Sequence, residues 1–341
     1  MSDILFMQRA LELAKLGRRG VSPNPMVGCV VVLNNKIIGE GFHQKYGEAH
    51  AEVNAIQSVK DHSVLPDSTV YVTLEPCAHF GKTPPCTDLL IRKNVKRVFI
   101  ACRDPFVHVD GKGIEKLRKA GVEVNFGLLE DEAVKLNRRF FTFHLKKRPY
   151  IILKWAQTQD GFIARENYDS KWISNQYSRQ LVHKWRAEED AIMVGKNTAI
   201  YDNPSLNVRD WTGAHPTRIL LDSKLEVPAD HELMSGSIET LILNMRKNEE
   251  KGATKWIKTE STSPSSISSV LHENKVQSVI IEGGSQLLNS FISENCWDEA
   301  RVFSSGKQFT NGIPAPIIEG EVIEKNIVQN DQLTIYKNHH G

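Results

Sequence analysis

The sequence predicts a two-domain α/β protein, and three observations lead to this fold class. At 341 residues the chain is long for one domain and sufficient for two. Helical segments alternate with short apolar strands in both halves, a pattern typical of layered α/β sheets. Between the halves, a basic segment at residues 146–149 ends in Pro149 and has the composition of a linker. We therefore expect one domain at residues 1–146 and a second at residues 147–341.

The first half begins with a helix that Ser2 and Asp3 can cap and that ends near Gly17. Asn34-Asn35 then marks a hairpin turn between two strands. The predicted strands are 27–33, 37–38, 70–73, 98–101 and 122–125, and the further helices are 50–60, 87–93 and 113–120.

The second half begins with an apolar strand directly after Pro149. A serine-rich stretch at 259–269 predicts a surface loop that leads into a helix. The predicted strands are 150–155, 191–194, 218–221, 240–243, 278–281 and 301–304, and the helices are 176–188, 266–274 and 286–294.

Composition narrows the classes of partner. The 43 basic and 41 acidic residues nearly cancel, which gives no electrostatic argument for a nucleic-acid partner. No apolar run approaches the ~20 residues of a membrane span, and the first residues do not resemble a secretory signal. The five cysteines are an odd number spread over a long chain, which does not resemble a disulfide framework. We therefore expect a cytoplasmic protein that binds a small molecule and neither nucleic acid nor membrane.

The strongest motif is His50-Ala51-Glu52 followed by Cys77 and Cys86. One imidazole and two thiolates are a suitable ligand set for a catalytic zinc ion, which keeps its fourth position for water. Glu52 can take the water proton and pass it to a leaving amino group, the roles known for zinc deaminases with an H-x-E…P-C-x-x-C motif. Here the second thiol comes nine residues after the first, so the intervening loop is longer, and a helix is expected to begin at Cys86. His79 stays an alternative third ligand.

The other cysteines, Cys29, Cys102 and Cys296, are expected to be structural. In the second half no G-x-G-x-x-G motif follows a strand, so the usual dinucleotide-binding fingerprint is missing. The turn Glu282-Gly283-Gly284-Ser285 joins a predicted strand to a predicted helix and can admit a phosphate. By itself this turn is equally compatible with a tight turn that binds nothing.

Three segments of the first half, at 22–28, 50–52 and 74–86, resemble the deaminase half of the bifunctional deaminase/reductase family of riboflavin biosynthesis. The long loop from Cys77 to Cys86 is this family's own pattern. In the second half a series of segments from Lys154-Trp155-Ala156 to Glu282-Gly283-Gly284 occurs in the family's order. The resemblance implies a cytidine-deaminase-like three-layer α/β/α domain, followed by a dihydrofolate-reductase-like α/β domain that uses NADPH.

The resemblance also implies the chemistry. The family deaminates a diaminopyrimidinone ribosylamine phosphate at its 2-amino group and then reduces the ribosyl group to ribityl. In this chain, His50, Cys77 and Cys86 would bind Zn²⁺ and Glu52 would shuttle the proton. Asn24 would hydrogen-bond the pyrimidine, and His79 and Lys82 would contribute to substrate recognition. A homodimer through the reductase domain is a further implication.

In the reductase half the implied residues fall into two sets. NADPH would contact Ala156, Trp172, Thr198, Asp202, Ser223, Gly284, Ser285, Gln286, Leu287, Leu288, Asn289 and Ser290. Substrate would contact Ser170, Arg186, Leu206, Arg209 and Glu282, where arginine guanidinium groups suit a sugar phosphate. Lys154 and Glu282 are candidates for polarising or protonating the sugar. Without the resemblance, Arg186 would be expected on a solvated helix face, and Trp155 and Trp172 in the core.

Three alternatives stay open at this point. The chain could be a nucleic-acid or other nucleobase deaminase with an accessory domain, although its balanced charge and long loop argue against this. It could be a zinc-stabilised binding protein whose catalytic sites have decayed, although Glu52 beside His50 argues against decay. In the third alternative only the deaminase half is active.

Overall fold

The computed structural model describes residues 2–18, 20–81, 84–106 and 109–339. The chain divides into two separately packed units, Met1–Lys146 and Lys147–Gly341. Within the described ranges, no helix combines the length and the apolar character needed to cross a membrane.

The first unit is built on a mixed sheet. Its strands are β1 (Gly28–Leu33), β2 (Lys36–Phe42), β3 (Thr69–Leu74), β4 (Arg97–Cys102) and β5 (Glu123–Phe126). Its helices are α1 (Asp3–Lys15), α2 (Ala51–Gln57), α3 (Cys86–Arg92), α4 (Lys112–Lys119), α5 (Glu130–Leu136) and α6 (Arg138–Lys146), with a 3₁₀ helix at His62–Asp67. The strand order is β2-β1-β3-β4-β5, with β3, β4 and β5 parallel and β1 antiparallel to both of its neighbours.

The hairpin predicted at Asn34-Asn35 is confirmed. Both asparagines have positive φ, 49° and 60°, in the left-handed region that asparagine tolerates better than most residues. The turn therefore reverses the chain directly from β1 into β2.

Alternating residues of the strands divide the first unit's core into two layers. Val30 and Val32 of β1 pack in one cluster with Ala10 and other residues of α1. Cys29 and Val31 face the other side and pack in a cluster that contains Ala55 of α2. Because each face of the sheet is covered by helices, the unit has three layers, α/β/α, as expected.

Helix α2 lies very close to strand β2. A Cβ at Gly41 would lie 2.3 Å from the backbone nitrogen of Ala55, so only glycine permits this packing. His50 is the N-cap residue of this helix, and the close packing therefore positions it against the sheet.

The second unit contains a long sheet. Its strands are β6 (Tyr150–Gln157), β7 (Phe162–Ala164), β8 (Ala191–Gly195), β9 (Thr217–Leu221), β10 (Thr240–Asn244), β11 (Glu249–Lys251), β12 (Thr254–Lys258), β13 (Ser278–Gly283), β14 (Glu299–Ser304), β15 (Ile313–Pro314), β16 (Glu321–Val328) and β17 (Asp331–Lys337). Its helices are α7 (Gln176–Glu188), α8 (Lys196–Asp202), α9 (Pro264–Glu273) and α10 (Ser285–Ser293), with a 3₁₀ helix at Glu232–Met234.

The strand order of this sheet is β11-β12-β10-β9-β8-β13-β6-β14-β17-β16, while β15 pairs with β7 separately. The strands from β12 to β14 along this order are parallel, and the strands at both edges are antiparallel. Helix α7 covers one face, where Val182 and Trp185 pack with Ile152 and Ile280. The carboxyl ends of the parallel strands meet at one edge, where α/β sheets usually bind ligands.

Several elements differ from the expectations. Helices α5 and α6, the edge strands β16 and β17, and the short elements β7, α8, β11, β12 and β15 were not predicted from the sequence. The serine-rich stretch is loop only as far as Ser263, whose Oγ accepts a hydrogen bond from Ser266 N and caps α9. Helix α9 therefore begins at Pro264, in the first turn where proline is tolerated, and not at residue 266.

Candidate active sites

The first site gathers the three predicted metal ligands. His50 caps α2, Cys77 follows β3, and Cys86 is the first residue of α3. His50 Nδ1 lies 3.3 Å from Cys86 Sγ and 3.6 Å from Cys77 Sγ, and the ligand atoms all lie within 4.8 Å of one another. These separations fit a tetrahedral zinc ion with a Zn–N distance of ~2.0 Å and Zn–S distances of ~2.3 Å. Among the described residues this is the group of side chains arranged to hold a metal, and His79 is not part of it.

The surroundings of Cys77 favour a thiolate. Its pKa is lowered to about 4, chiefly by a hydrogen bond from the Cys86 side chain and also by the His50 side chain, although burial opposes the shift. The Cys86 backbone N–H donates to Cys77 Sγ at 3.3 Å. The Cys77 carbonyl in turn accepts hydrogen bonds from Thr87 N and Thr87 Oγ1, which close the long loop at the start of α3. The beginning of α3 at Cys86 confirms the predicted helix start.

Glu52 lies in the first turn of α2 and is only 4% exposed. Burial, with a further contribution from Cys77, raises the pKa of its carboxyl group. A carboxyl group with a raised pKa accepts a proton more readily than an exposed carboxylate does. Glu52 is therefore placed for the proton transfers expected of it.

Asn24 is oriented by His43, a residue that the sequence analysis missed. His43 Nδ1 lies 3.1 Å from the Ala49 carbonyl oxygen, and Asn24 Nδ2 lies 3.0 Å from His43 Nε2. Burial lowers the pKa of His43, so the ring is neutral; it donates to the carbonyl and accepts from the Asn24 amide. The Asn24 carbonyl oxygen is then the group that can accept a hydrogen bond from a substrate. His43 precedes the zinc motif by seven residues, and no spacing rule would have identified it.

The loop between the two cysteines forms an open outer wall. His79 is exposed and, with Phe80, Phe106 and Lys112, lines a shallow depression. Lys82 lies outside the described residues. The depression borders the zinc ligands through Ala78, which follows Cys77 directly.

The second unit contains a pocket of about 810 Å³ lined by the ends of β6, β8, β9 and β13. The predicted reductase residues, from the strand ends, from α7 and from α10, line this one pocket with a single exception. The lining includes Lys154, Ala156, Ser170, Trp172, Arg186, Thr198, Asp202, Leu206, Arg209, Ser223, Glu282, Gly284, Ser285, Gln286, Leu287, Leu288 and Ser290. Asn289 is not part of the lining; its amide donates to Ser285 Oγ at 3.2 Å.

A buried charge cluster forms part of the pocket wall. Arg186 donates two hydrogen bonds to Glu282, and Lys154 Nζ lies 3.8 Å from Glu282 Oε2. Burial alone would raise the pKa of Glu282, but Arg186 and Lys154 outweigh it and lower the pKa to about 2. Burial lowers the pKa of Lys154. The two cations and one carboxylate leave this cluster with a net positive charge. Arg186 belongs to this buried cluster, so the alternative expectation that it lies on a solvated helix face is wrong.

The turn from β13 into α10 fits a phosphate-containing cofactor. Strand β13 passes through Gly283 and Gly284 directly into α10. A Cβ at Gly284 would lie 3.2 Å from Thr198 Oγ1, so glycine keeps this part of the pocket open. Backbone N–H groups at the start of α10 are suited to an anion such as the cofactor's phosphate.

The segment between β7 and α7 forms the pocket's outer rim. Ser170 Oγ donates to Asp202 Oδ2 at 3.0 Å, and the rings of Tyr168 and Tyr201 stack with centroids 4.3 Å apart. Trp172 is 64% exposed, so its alternative assignment to the core is wrong, whereas Trp155 is buried as expected. The two tyrosines line the pocket but carry no sequence signal that would have identified them.

Each half of the chain matches a known protein family. Residues 1–102 match the family model of the cytidine and deoxycytidylate deaminase zinc-binding region, and residues 149–334 match that of the RibD C-terminal domain. The riboflavin biosynthesis protein RibD of Aquifex aeolicus is 43% identical over 91% of this chain and 89% of its own length. That of Escherichia coli is 34% identical over 90% of this chain and 88% of its own length.

Solved structures show the same similarity. A diaminohydroxyphosphoribosylaminopyrimidine deaminase/5-amino-6-(5-phosphoribosylamino)uracil reductase from Thermotoga maritima superposes with a TM-score of 0.90, at 37% identity and with 98% of each chain covered. RibD of Acinetobacter baumannii superposes with the same TM-score at 32% identity, again over 98% of each chain.

These matches confirm the expected fold, a deaminase-like first domain and a dihydrofolate-reductase-like second domain, and they favour the bifunctional enzyme over a nucleic-acid deaminase. Zn²⁺ and NADPH are the cofactors of such an enzyme, and the residues around each site fit them. The chain therefore belongs to the RibD family of riboflavin biosynthesis, whose members join a zinc-binding deaminase to an NADPH-dependent reductase.

Proposed function

We propose that this chain deaminates 2,5-diamino-6-(5-phosphoribosylamino)pyrimidin-4(3H)-one and then reduces the ribosyl group of the product to ribityl. Residues 1–146 carry out the deamination and residues 147–341 the reduction. The observation that carries the proposal is the pairing of buried Glu52 with the ligand cluster His50, Cys77 and Cys86 in a chain that also has the charged reductase pocket.

For the deamination, His50, Cys77 and Cys86 would hold Zn²⁺, which would supply an activated water. Water adds to the pyrimidine carbon that bears the 2-amino group, the C–N bond breaks and ammonia leaves. Glu52 accepts the proton of the water and delivers it to the leaving amine; its raised pKa supports both transfers. The Asn24 carbonyl oxygen, oriented by His43, accepts a hydrogen bond from the pyrimidine, and His79 and Lys82 contact the rest of the substrate.

For the reduction, NADPH held in the pocket would supply the hydride for the sugar C1′ of the open-chain imine, and a residue of the pocket would supply the proton for the imine nitrogen. Lys154 is the proposed proton donor, because burial lowers its pKa and Glu282 keeps it in place. Arg209 binds the sugar phosphate, and Arg186 stabilises the position of Glu282. Substrate also contacts Ser170 and Leu206.

Other residues of the lining would hold the cofactor. NADPH would contact Ala156, Trp172, Thr198, Asp202, Ser223 and, at the start of α10, Gly284 to Leu288 and Ser290. A homodimer through the second unit, implied by the family resemblance, and a cytoplasmic location, expected from the cysteine pattern, stay predictions.

A paired assay on the purified full chain tests the proposal. The diaminopyrimidinone ribosylamine phosphate is supplied, ammonia release is followed, and NADPH is then added and its oxidation is measured. Ammonia release followed by NADPH oxidation is the expected result. Ammonia release without NADPH oxidation would overturn the reductase half of the proposal, and no ammonia release would overturn the choice of substrate.

A further inference from the structure

A short loop after α8 carries two of the proposed substrate contacts, Leu206 and Arg209. Three side chains hold its backbone. Arg186 Nη1 donates to the Asn207 carbonyl oxygen at 3.2 Å. The backbone N–H groups of the next two residues, Val208 and Arg209, each donate to a histidine Nδ1. The acceptors are His215, at 3.1 Å, and His183, at 3.4 Å.

His183 is the buried one of these two rings. It lies on α7, lines the pocket one turn before Arg186, and is 3% exposed. Because its Nδ1 accepts a hydrogen bond, the neutral ring carries its proton on Nε2, which lies 3.3 Å from Asp210 Oδ2. The ring therefore binds two consecutive loop residues, Arg209 through the backbone and Asp210 through the carboxylate.

The charges around His183 keep it neutral. Burial lowers its pKa, and Arg186 on the same helix and Arg209 on the loop lower it further. Asp210 on the loop and Glu282 on β13 act in the opposite direction but do not outweigh these effects. Protonation therefore requires a pH below 6.5, the ordinary value for histidine.

The guanidinium of Arg209 is held less firmly than its backbone. Its side chain is 58% exposed, with Nη1 3.3 Å from Asn207 Oδ1 and Nε 3.8 Å from Asp210 Oδ2. An exposed side chain of this length reaches a defined place only if its Cα is fixed. The hydrogen bond from the Arg209 backbone to His183 supplies this constraint.

We propose that His183 is a positioning residue of the reductase: its neutral ring fixes the loop at residues 207–210 so that Arg209 meets the phosphate of the sugar substrate. This inference rests on the proposed role of Arg209. When His183 is protonated, Nδ1 becomes a donor, the hydrogen bond from Arg209 N is lost, and substrate affinity falls. The proposed NADPH contacts do not include this loop, so we expect NADPH affinity to be unaffected.

Two substitutions of His183 separate positioning from packing. His183→Asn places an amide oxygen near the position of Nδ1, so it keeps an acceptor that does not titrate. His183→Leu keeps the apolar bulk and removes both the acceptor for Arg209 N and the contact of Nε2 with the exposed Asp210 carboxylate. Steady-state kinetics use the full chain, the deaminated substrate and NADPH. We expect His183→Leu to raise KM for the substrate about 2- to 10-fold, chiefly through loss of the hydrogen bond from Arg209 N, while KM for NADPH stays unchanged. His183→Asn should restore most of the loss.

The pH profile supplies the second readout. The phosphate of the substrate also titrates at pH ~6, but it does so equally with every variant. The ratio of the wild-type KM to the His183→Asn KM therefore reports titration of the protein alone. We expect the wild-type KM to rise relative to that of His183→Asn as the pH falls below 6.5. A constant ratio, an equal increase in KM for NADPH, or failure of His183→Asn to restore binding would overturn the inference.

A double-mutant cycle with Arg209→Gln distinguishes this inference from the proposed function. If His183 acts through Arg209, His183→Leu should have little further effect on KM in the Arg209→Gln background. Additive effects would overturn the positioning role alone. If Arg209→Gln itself leaves KM for the substrate unchanged, the proposed role of Arg209 is wrong, and the inference fails with it.

Discussion

Arg186 and Glu282 form a bidentate ion pair, with Nε 2.9 Å from Oε1 and Nη2 2.7 Å from Oε2. Their side chains are 12% and 9% exposed, so this pair is shielded from solvent. Lys154 shares the same carboxylate. The pair joins α7 to the end of β13 and so supports one wall of the reductase pocket.

Glu282→Gln should destabilise the second unit by about 3–5 kcal/mol, because it leaves two buried cations without a counter-charge. All six tryptophans lie after residue 150, so tryptophan fluorescence during urea unfolding reports this unit alone. Glu249→Gln, which removes an exposed carboxylate paired with Lys247, is the matched control and should leave the transition unchanged. Equal midpoints for both variants would contradict the prediction.

The same carboxylate makes stability depend on pH. Its pKa is lowered from 4.5 to about 2, so its stabilising effect is present above pH 4.5 and is lost as the pH falls toward 2. Acid unfolding of the wild type, followed by tryptophan fluorescence, should therefore be steeper over this range than that of Glu282→Gln. Parallel curves would show that Glu282 is not the group that titrates.

Glu52→Gln should lower the rate of ammonia release by about 10²- to 10⁴-fold, because the amide cannot transfer the proton. Zinc content should be unchanged, since Glu52 is outside the ligand cluster. NADPH oxidation with the deaminated substrate serves as the internal control, because it uses the second unit. Unaltered ammonia release would remove Glu52 from the mechanism.

Cys77→Ser should abolish zinc binding and ammonia release but leave NADPH oxidation intact. Serine does not supply the thiolate that the low pKa of Cys77 provides. Metal analysis of the purified variant measures the first effect and the two half-assays measure the others. Cys296→Ser, in the second unit, is the matched control and should retain its zinc.

Gly113→Ala should weaken zinc binding from a distance. A Cβ there would lie 2.1 Å from the carbonyl oxygen of Pro76, the residue before Cys77. The N–H of Gly113 also donates to buried Glu75 at 2.8 Å, so helix α4 cannot shift without breaking this contact. Thermal release of zinc to a colorimetric chelator should occur at lower temperature, consistent with an overpacking cost of ~1–3 kcal/mol.

The control for this variant is Gly81→Ala, whose Cβ would meet His79 Nε2 at 4.0 Å and no nearer atom of the described residues. It should release zinc at the wild-type temperature. Identical release from Gly113→Ala and Gly81→Ala would show that the contact between α4 and Pro76 does not support the cluster.

Local sequence was sufficient for much of the fold. Helix α7 occupies the predicted residues 176–188, and β6, β8 and β13 begin at the predicted residues, because buried parallel strands are short apolar runs bounded by polar residues. Edge strand β16 was missed because seven of its eight residues are exposed, and its valines and isoleucines do not alternate with polar residues. Its pairing with β17 depends on backbone hydrogen bonds that a single-strand pattern does not encode.

The sequence by itself determined the zinc chemistry, because the order and residue types of His50, Glu52, Cys77 and Cys86 are typical of zinc deaminases and of few other proteins. Only the tertiary structure decided which groups orient those that touch substrate. His43 reaches Asn24, and His183 reaches Arg209, through contacts between residues 19 and 26 positions apart in the chain. Such contacts arise from the packing of helices against sheets, and a buried histidine has the same local sequence pattern whether it supports a site or only the core.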